Sequence, residues 1–373
     1  MEAFRIFIEG ISNFTLGHLI MLAIGGILIY LAIKKEYEPM LLLPIGFGII
    51  LTNIPLSAAI GKNGFLTLLY NAGINTELFP ILIFIAVGAM VDFTPLFQQP
   101  FMIFFGAAAQ VGIFLTMIVA YLMGFDIGEA ASIGIIGAAD GPTSIYVSTL
   151  FAPHLLGPIS VAAYSYMALV PIIQPPIIRM LTTKEERRIR MELELKEVPK
   201  VVRIIFPIAV TLITGILIPQ SVPLIGSLMF GNLIKESGVV ERLSKAAQNE
   251  LANITTILLG ITIGATMTPD RFLNPATLLI FGMGLLAFIF DTAGGVLFAK
   301  FLNLFLKRKV NPMIGAAGIS AFPMSARVIQ KMAQQEDFTN FVLMQSVAAN
   351  VSGQIGSVVA GGILIGLVSS LFM

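Results

Sequence analysis

Cysteine and tryptophan are absent from this chain, and only two histidines, His18 and His154, occur in 373 residues. Without cysteine there is no disulfide, no thiolate nucleophile and no iron–sulfur ligation, and two histidines far apart in sequence argue against a His-cluster metal centre. Charge is equally scarce: Asp, Glu, Lys and Arg make up 12% of the residues and balance to a net charge of +1. No broad field therefore points to nucleic acid or to an acidic partner. Neither a P-loop nor a dinucleotide fingerprint follows a strand pattern, which argues against ATP as an energy source within the chain.

What is abundant is apolar. Hydrophobic residues make up 57% of the chain, the mean hydropathy is +0.92, and apolar runs near 20 residues recur along its length. That is the composition of an all-α polytopic membrane protein. Residues 1–33 carry a span ending at Lys34-Lys35 and lack a small-residue cleavage site after a basic start, so they are expected to remain as a helix. The 35 glycines and 18 methionines suit closely packed, adaptable helices.

A charged stretch, 182–200, separates an N-terminal half (1–181) from a C-terminal half (201–373), and the halves match locally. Pro44-Ile45-Gly46 answers Pro223-Leu224-Ile225-Gly226, and Gly88-Ala89-Met90 answers Gly264-Ala265-Thr266. Gly137 to Ser144 answers Gly318 to Ser325, and Val161-Ala162-Ala163-Tyr164 answers Val347-Ala348-Ala349-Asn350. Short ordered matches at offsets of 174 to 186 residues indicate a duplicated chain, with repeats at about 41–181 and 221–373.

The apolar segments number twelve, but if all twelve span, the basic loops at 34–35, 184–203, 235–245 and 307–309 fall on different sides. If the segments near 130–150 and 311–330 turn back as hairpins, all four loops share the cytoplasmic face, and Arg5, Lys62 and Arg271 lie outside. The expectation is an inverted repeat of about five elements per half, with about ten spanning helices and two re-entrant hairpins whose tips meet near the midplane.

Those hairpins carry the polar groups. Asp140 stands beside the helix breakers Gly141 and Pro142 in an otherwise apolar stretch, where an ionised acid costs a few kcal/mol on the mildest scales and so marks an ion or proton pathway. With the Thr143 and Ser144 hydroxyls it forms an oxygen cluster suited to a hard cation. The second hairpin brings Asn311, Ser320 and Arg327, and the long helices that follow bring Tyr164-Ser165-Tyr166 and Asn350-Val351-Ser352. Tyr166, Asn350 and Ser352 are assigned to the site, and Tyr164 to helix packing. Arg327 either meets Asp140 or a substrate carboxylate, or snorkels to the interface. Asp291, deep in its own apolar run, is a second buried acid; Asp92, before Thr94-Pro95, reads as a helix cap.

Gly-Ala-Ala-Asp-Gly-Pro-Thr-Ser-Ile-Tyr at 137–146, Ala-Tyr-Ser-Tyr-Met-Ala-Leu-Val-Pro-Ile-Ile-Gln-Pro-Pro at 163–176, Met-Phe-Gly-Asn-Leu at 229–233 and Asn-Pro-Met-Ile-Gly-Ala-Ala-Gly-Ile-Ser-Ala at 311–321 closely resemble the beta subunit of sodium-pumping biotin-dependent decarboxylases. The resemblance implies a multi-pass subunit of the plasma (inner) membrane that decarboxylates carboxybiotin and exports Na⁺ with consumption of a proton. Its implied partners are a carboxyltransferase alpha subunit, a biotin carrier protein or domain that bears the biotin, a small gamma-type membrane subunit and further copies of itself. It also implies catalytic roles for Asp140, Tyr166, Ser320 and Arg327, and contact with carboxybiotin for Arg327, Tyr166, Asn311 and Gly315. Na⁺ ligation is assigned to Asp140, Asn350, Ser320 and Asn311, with Ser352 and Ser165 added from their places on the long helices. The rival reading is a Na⁺-coupled secondary transporter of an organic anion, with Arg327 clamping the substrate carboxylate.

Overall fold

The structure is a computed structural model that describes residues 9–191 and 197–372. Arg5, and with it part of the expected outer charge, lies outside the described residues, as do Glu192, Glu194 and Lys196 of the charged stretch. Every regular element among the described residues is helical. The first half runs α1 (Leu16–Lys34), α2 (Pro39–Thr52), α3 (Leu78–Met90), α4 (Ile103–Ala109), α5 (Val111–Leu122), α6 (Ile127–Gly134), α7 (Gly141–Phe151) and α8 (Leu156–Leu181). The second half runs α9 (Lys200–Leu217), α10 (Val222–Ser237), α11 (Ala252–Ala265), α12 (Pro275–Phe305), α13 (Met324–Glu336) and α14 (Leu343–Phe372).

Among the described residues, six helices are long and apolar enough to cross a bilayer: α1, the α4–α5 unit with the turn before it, α8, α9, α12 and α14. The others are short. α2, α3, α10 and α11 hold 14, 13, 16 and 14 residues, roughly 20 to 24 Å at 1.5 Å per residue against a hydrocarbon core of about 30 Å. α2 stops at Thr52, because Asn53, Pro55, Gly61 and Gly64 do not continue a helix. A π turn, Tyr70–Ile74, and a 62° bend precede α3, and a second π turn, Ala247–Leu251, leads into α11.

The short helices pair reciprocally: α2 packs along α11, and α3 along α10. Glycines permit the approach. A methyl group on Gly264 of α11 would lie 2.8 Å from the Gly48 Cα of α2, and one on Gly231 of α10 would lie 2.8 Å from the Ala89 nitrogen of α3. Small residues at such crossings let apolar helices gain van der Waals contact that lipid cannot supply. α1 lies on α2 as α9 lies on α10. α8 and α14 form the interior, with 61% and 72% of their apolar windows buried, whereas α9 is peripheral at 6%.

Two segments turn back on themselves. At the base of the first, His154 Nε2 meets Glu129 Oε1 at 2.8 Å, so the start of α6 and the end of α7 are side by side. At the base of the second, Asn311 donates to the carbonyls of Arg187 and Ile189 at 2.9 and 3.0 Å, and Asn340, beyond α13, donates to the same two carbonyls at 3.4 and 3.3 Å. The charged stretch closes over this base through Arg187–Glu336 and Arg190–Asp337 pairs, both 2.7 Å. The Arg190 guanidinium, helped by Thr339, holds the Asp337 carboxyl at about 2.

Candidate functional site

The first hairpin reaches its tip through a 3₁₀ turn, Ile135–Ala138, after which Ala139 takes a left-handed conformation (φ 52°) and Asp140 becomes the N-cap of α7. Gly141-Pro142 make that cap possible: Pro at the second helical position lacks an N–H that would in any case have no helical partner. Asp140 Oδ1 accepts the Thr143 N–H at 3.2 Å. The second hairpin reaches its tip through another 3₁₀ turn, Pro312–Gly318, and the chain continues extended at Ile319.

The tips meet. The Ser320 N–H donates to the Ala138 carbonyl at 2.9 Å, joining the hairpins by a backbone bond. Around it, Asp140 Oδ2 accepts the Ser357 hydroxyl of α14 at 2.7 Å and the Ser320 hydroxyl at 3.4 Å, with the two hydroxyls 3.1 Å apart. Asn350 Nδ2 holds the carbonyls of Ala317 and Ile319 at 3.1 and 2.7 Å, and Gln354 donates to the Ser320 carbonyl. Asp140 is 6% exposed and Ser320, Asn350 and Ser357 no more than 2%. Asn350 Oδ1 and Thr143 Oγ1 are buried without a hydrogen-bond partner among the described residues. A carboxylate, hydroxyls and an unpaired amide oxygen make an anionic all-oxygen donor set, which suits a hard cation such as Na⁺. Among the described residues, no group of three or more His, Asp and Glu side chains has the disposition to hold a metal.

Of the residues singled out from sequence, Asp140, Ser320 and Asn350 are brought together at the tips, with Thr143 beside them. Ser144 donates to the Asp140 carbonyl at 2.8 Å. Ser352 bonds the Met102 and Ala349 carbonyls, both at 2.9 Å, and so faces away from the tips. Tyr166 spends its hydroxyl on the Phe281 carbonyl of α12. The tyrosine beside the acid is Tyr164, whose ring lies against Gly141. Ser165 is half-buried and makes no side-chain bond among the described residues. Asn311 anchors the base of the second hairpin, and Gly315 packs against Gly295 of α12 where no side chain fits. Arg327 is exposed on α13 and is not paired with Asp140. Asp92 is exposed and accepts the Thr94 N–H at 2.9 Å, one residue before the N-cap position, which is Phe93.

Ser357, Gln354 and Gln174 were missed. Gln174 on α8 donates to the Ala316 carbonyl at 2.9 Å and accepts the Ser325 hydroxyl at 2.8 Å, bracing the second hairpin. A signal for the α14 pair did exist, since Asn350, Gln354 and Ser357 stand at i, i+4 and i+7, one face of a helix.

With this geometry in hand, comparison with known proteins decides between pump and transporter. The family described as "Na+-transporting oxaloacetate decarboxylase beta subunit" matches residues 17–368. The chain belongs to that family. It is 49% identical to the methylmalonyl-CoA decarboxylase subunit beta of Veillonella parvula, over 99% of this chain and 100% of that one. It is 50% identical to the glutaconyl-CoA decarboxylase subunit beta of Acidaminococcus fermentans, over 96% of each, and 43% identical to the oxaloacetate decarboxylase beta chain of Klebsiella pneumoniae, over 98% and 99%. As a member, it is an integral membrane subunit of a biotin-dependent decarboxylase coupled to Na⁺ transport.

Proposed function

We propose that this subunit holds Na⁺ where the two hairpin tips meet and decarboxylates carboxybiotin on its cytoplasmic side, and that each turnover exports Na⁺ and consumes a proton. Asp140 supplies the negative charge, and Ser357, Ser320, Asn350 and Thr143 supply neutral oxygens. The observation that carries this is the single cluster formed by Asp140, Ser320 and Ser357, three groups from three elements. Loss of CO₂ breaks the N–carboxylate bond of carboxybiotin and leaves the electron pair on the ureido nitrogen, which takes up the proton. Arg327, exposed and carrying no bonded acid among the described residues, is the group for the substrate carboxylate. Tyr166, Asn311 and Gly315 act through the frame around it. The carrier that presents biotin, the carboxyltransferase alpha subunit, a gamma-type subunit and further copies of this chain complete the complex.

The same reading gives the chain an inverted repeat with two re-entrant hairpins, a first half at 1–181, a cytoplasmic stretch at 182–200 and a second half at 201–373. Reciprocal α2–α11 and α3–α10 pairing and the paired hairpin bases support it. Opposed broken segments meeting at one site give access from each side in turn without a continuous pore.

The decisive measurement uses the chain in liposomes given carboxybiotin, with ²²Na⁺ flux and CO₂ release followed together. Tight coupling that fails in Asp140→Asn is expected; a variant that still pumps would remove the site from Asp140. Topology is read from single cysteines at Glu129, His154, Val310 and Lys331 with an impermeant thiol reagent. The first two are expected to label from outside and the last two from the cytoplasm, and a split pair would mean that its segment spans.

A further inference from the structure

Asp291 is wholly buried in the middle of α12, away from the oxygens just described. It lies at the junction between α4 and α5, beside the first turn of α5. Its Oδ1 accepts the Ile113 N–H at 3.1 Å, and Gly112 packs directly on the carboxyl. Oδ2 has no hydrogen-bond partner among the described residues. It faces the first hairpin tip at Gly137, where a methyl group would collide with it and would also lie 2.9 Å from Ala287 Cβ.

The duplication shows what is unusual here. Gly137 answers Gly318, and at Gly318 the neighbouring polar group is Gln110, at the α4–α5 break, whose Nε2 donates to the Gly318 carbonyl at 3.3 Å. One tip is backed by a permanently neutral amide and the other by a titratable acid. Asp291 and Asp140 thus flank a single four-residue tip, with Gly137 and Asp140 at most about 11 Å apart along an extended backbone. Neither is paired with a basic residue among the described ones.

Of the groups on the elements packed against α12, Tyr121 is exposed, Glu129 is bonded to His154, and Arg179 is bonded to Gln335. Tyr164 lies against Gly141, and Tyr166 is bonded to Phe281. Lys300, on α12 itself, is bonded to Glu186 and the Leu181 carbonyl. None of them neutralises Asp291.

We propose that Asp291 is a proton-binding positioning residue that acts on the Na⁺ site through the first hairpin tip: it gives up its proton when Na⁺ binds and regains it when Na⁺ leaves. Two like charges beside one tip at low dielectric share a single compensating cation, so Na⁺ at Asp140 favours the ionised form of Asp291, and loss of the Asp291 proton favours Na⁺ to the same extent. The Ile113 N–H at the start of α5 holds the ionised form while Na⁺ is present. No bond is made or broken beyond the transfer of H⁺ to or from water. The inference rests on the Na⁺ site assigned above and supplies a means by which outward Na⁺ release draws in a proton.

The test is Na⁺ affinity against pH on the purified full chain, with Na⁺ alone as ligand and calorimetry as readout. In the wild type, affinity is expected to rise with pH. In Asp291→Asn, which keeps the shape and the Oδ1 acceptor, Na⁺ is expected still to bind, and that rise to shrink on the order of tenfold. A rise unchanged from the wild type overturns the proposal. If the Asn variant does not fold, Asp291→Glu replaces it: a rise displaced along the pH axis supports the role, and one at the wild-type position overturns it. Asp140→Asn separates the two readings. Wild-type Na⁺ binding in that variant means that the Na⁺ site itself is misassigned, whatever Asp291 does.

Discussion

The two hairpin tips meet through a backbone bond but are built from different chemistry. The first contributes a carboxylate, Asp140, at a helix N-cap and carries a left-handed alanine just before it. The second contributes a hydroxyl, Ser320, and backbone carbonyls, and is braced by the amides of Gln174, Asn350 and Gln354. One tip thus carries the charge, and the other is neutral. One carboxylate among neutral oxygens balances a single positive charge.

The comparison is broken most completely at the charged tip. Asp140→Asn is expected to lower Na⁺-coupled decarboxylation by roughly 100-fold or more, since the only full negative charge in the cluster is gone. Coupled ²²Na⁺ flux measures it, and wild-type flux would make the tips equivalent. Arg327→Ala tests the substrate side and is expected to raise the half-saturation for carboxybiotin about tenfold to a hundredfold, while Na⁺ affinity measured without carboxybiotin stays put. A fall in Na⁺ affinity instead would tie Arg327 to the ion.

The neutral partners should rank by geometry. Ser357→Ala removes the 2.7 Å bond to Asp140, and a hydrogen bond to a charged group contributes about 1.5 to 3 kcal/mol. Half-saturation for Na⁺ is therefore expected to rise about tenfold or more. Ser320→Ala, whose bond is 3.4 Å, is expected to cost only a few-fold, and the reverse order would show that the second tip, not α14, supplies the tighter ligand. The smallest effect belongs to the left-handed alanine. Ala139→Gly relieves a positive φ that costs a non-glycine residue about 1 kcal/mol, so a thermal melt is expected to rise by on the order of 1 to 2 °C. A fall would mean that chain entropy outweighs the strain there.

Asp140 was legible because a lone acid beside Gly-Pro in an apolar stretch has few structural explanations. Asn350 and Ser320 followed from the repeat and from resemblance. Hydroxyls were the weak point: Ser352 and Ser357 both stand on α14, yet one reaches Met102 and the other Asp140. A helical serine has an acceptor within its own last turn whichever way it faces, so composition does not tell the two apart. Tyr164 lies against Gly141 while Tyr166 reaches Phe281 for a similar reason. Two residues apart on a helix they face different neighbours, and which face meets the first tip depends on the rotation of α8.

By itself the sequence determined a helical membrane protein with an acid beside a Gly-Pro break in an apolar segment, because charge, proline and glycine in an apolar chain carry large local free energies that no partner is needed to reveal. Tertiary structure decided that α2 pairs with α11 and α3 with α10, that Ser357 rather than Ser352 reaches the acid, and that Asp291 and Gln110 back opposite tips. Those outcomes turn on contacts between residues more than a hundred positions apart, where each choice is worth about 1 kcal/mol and only the packed arrangement of all the helices selects among them.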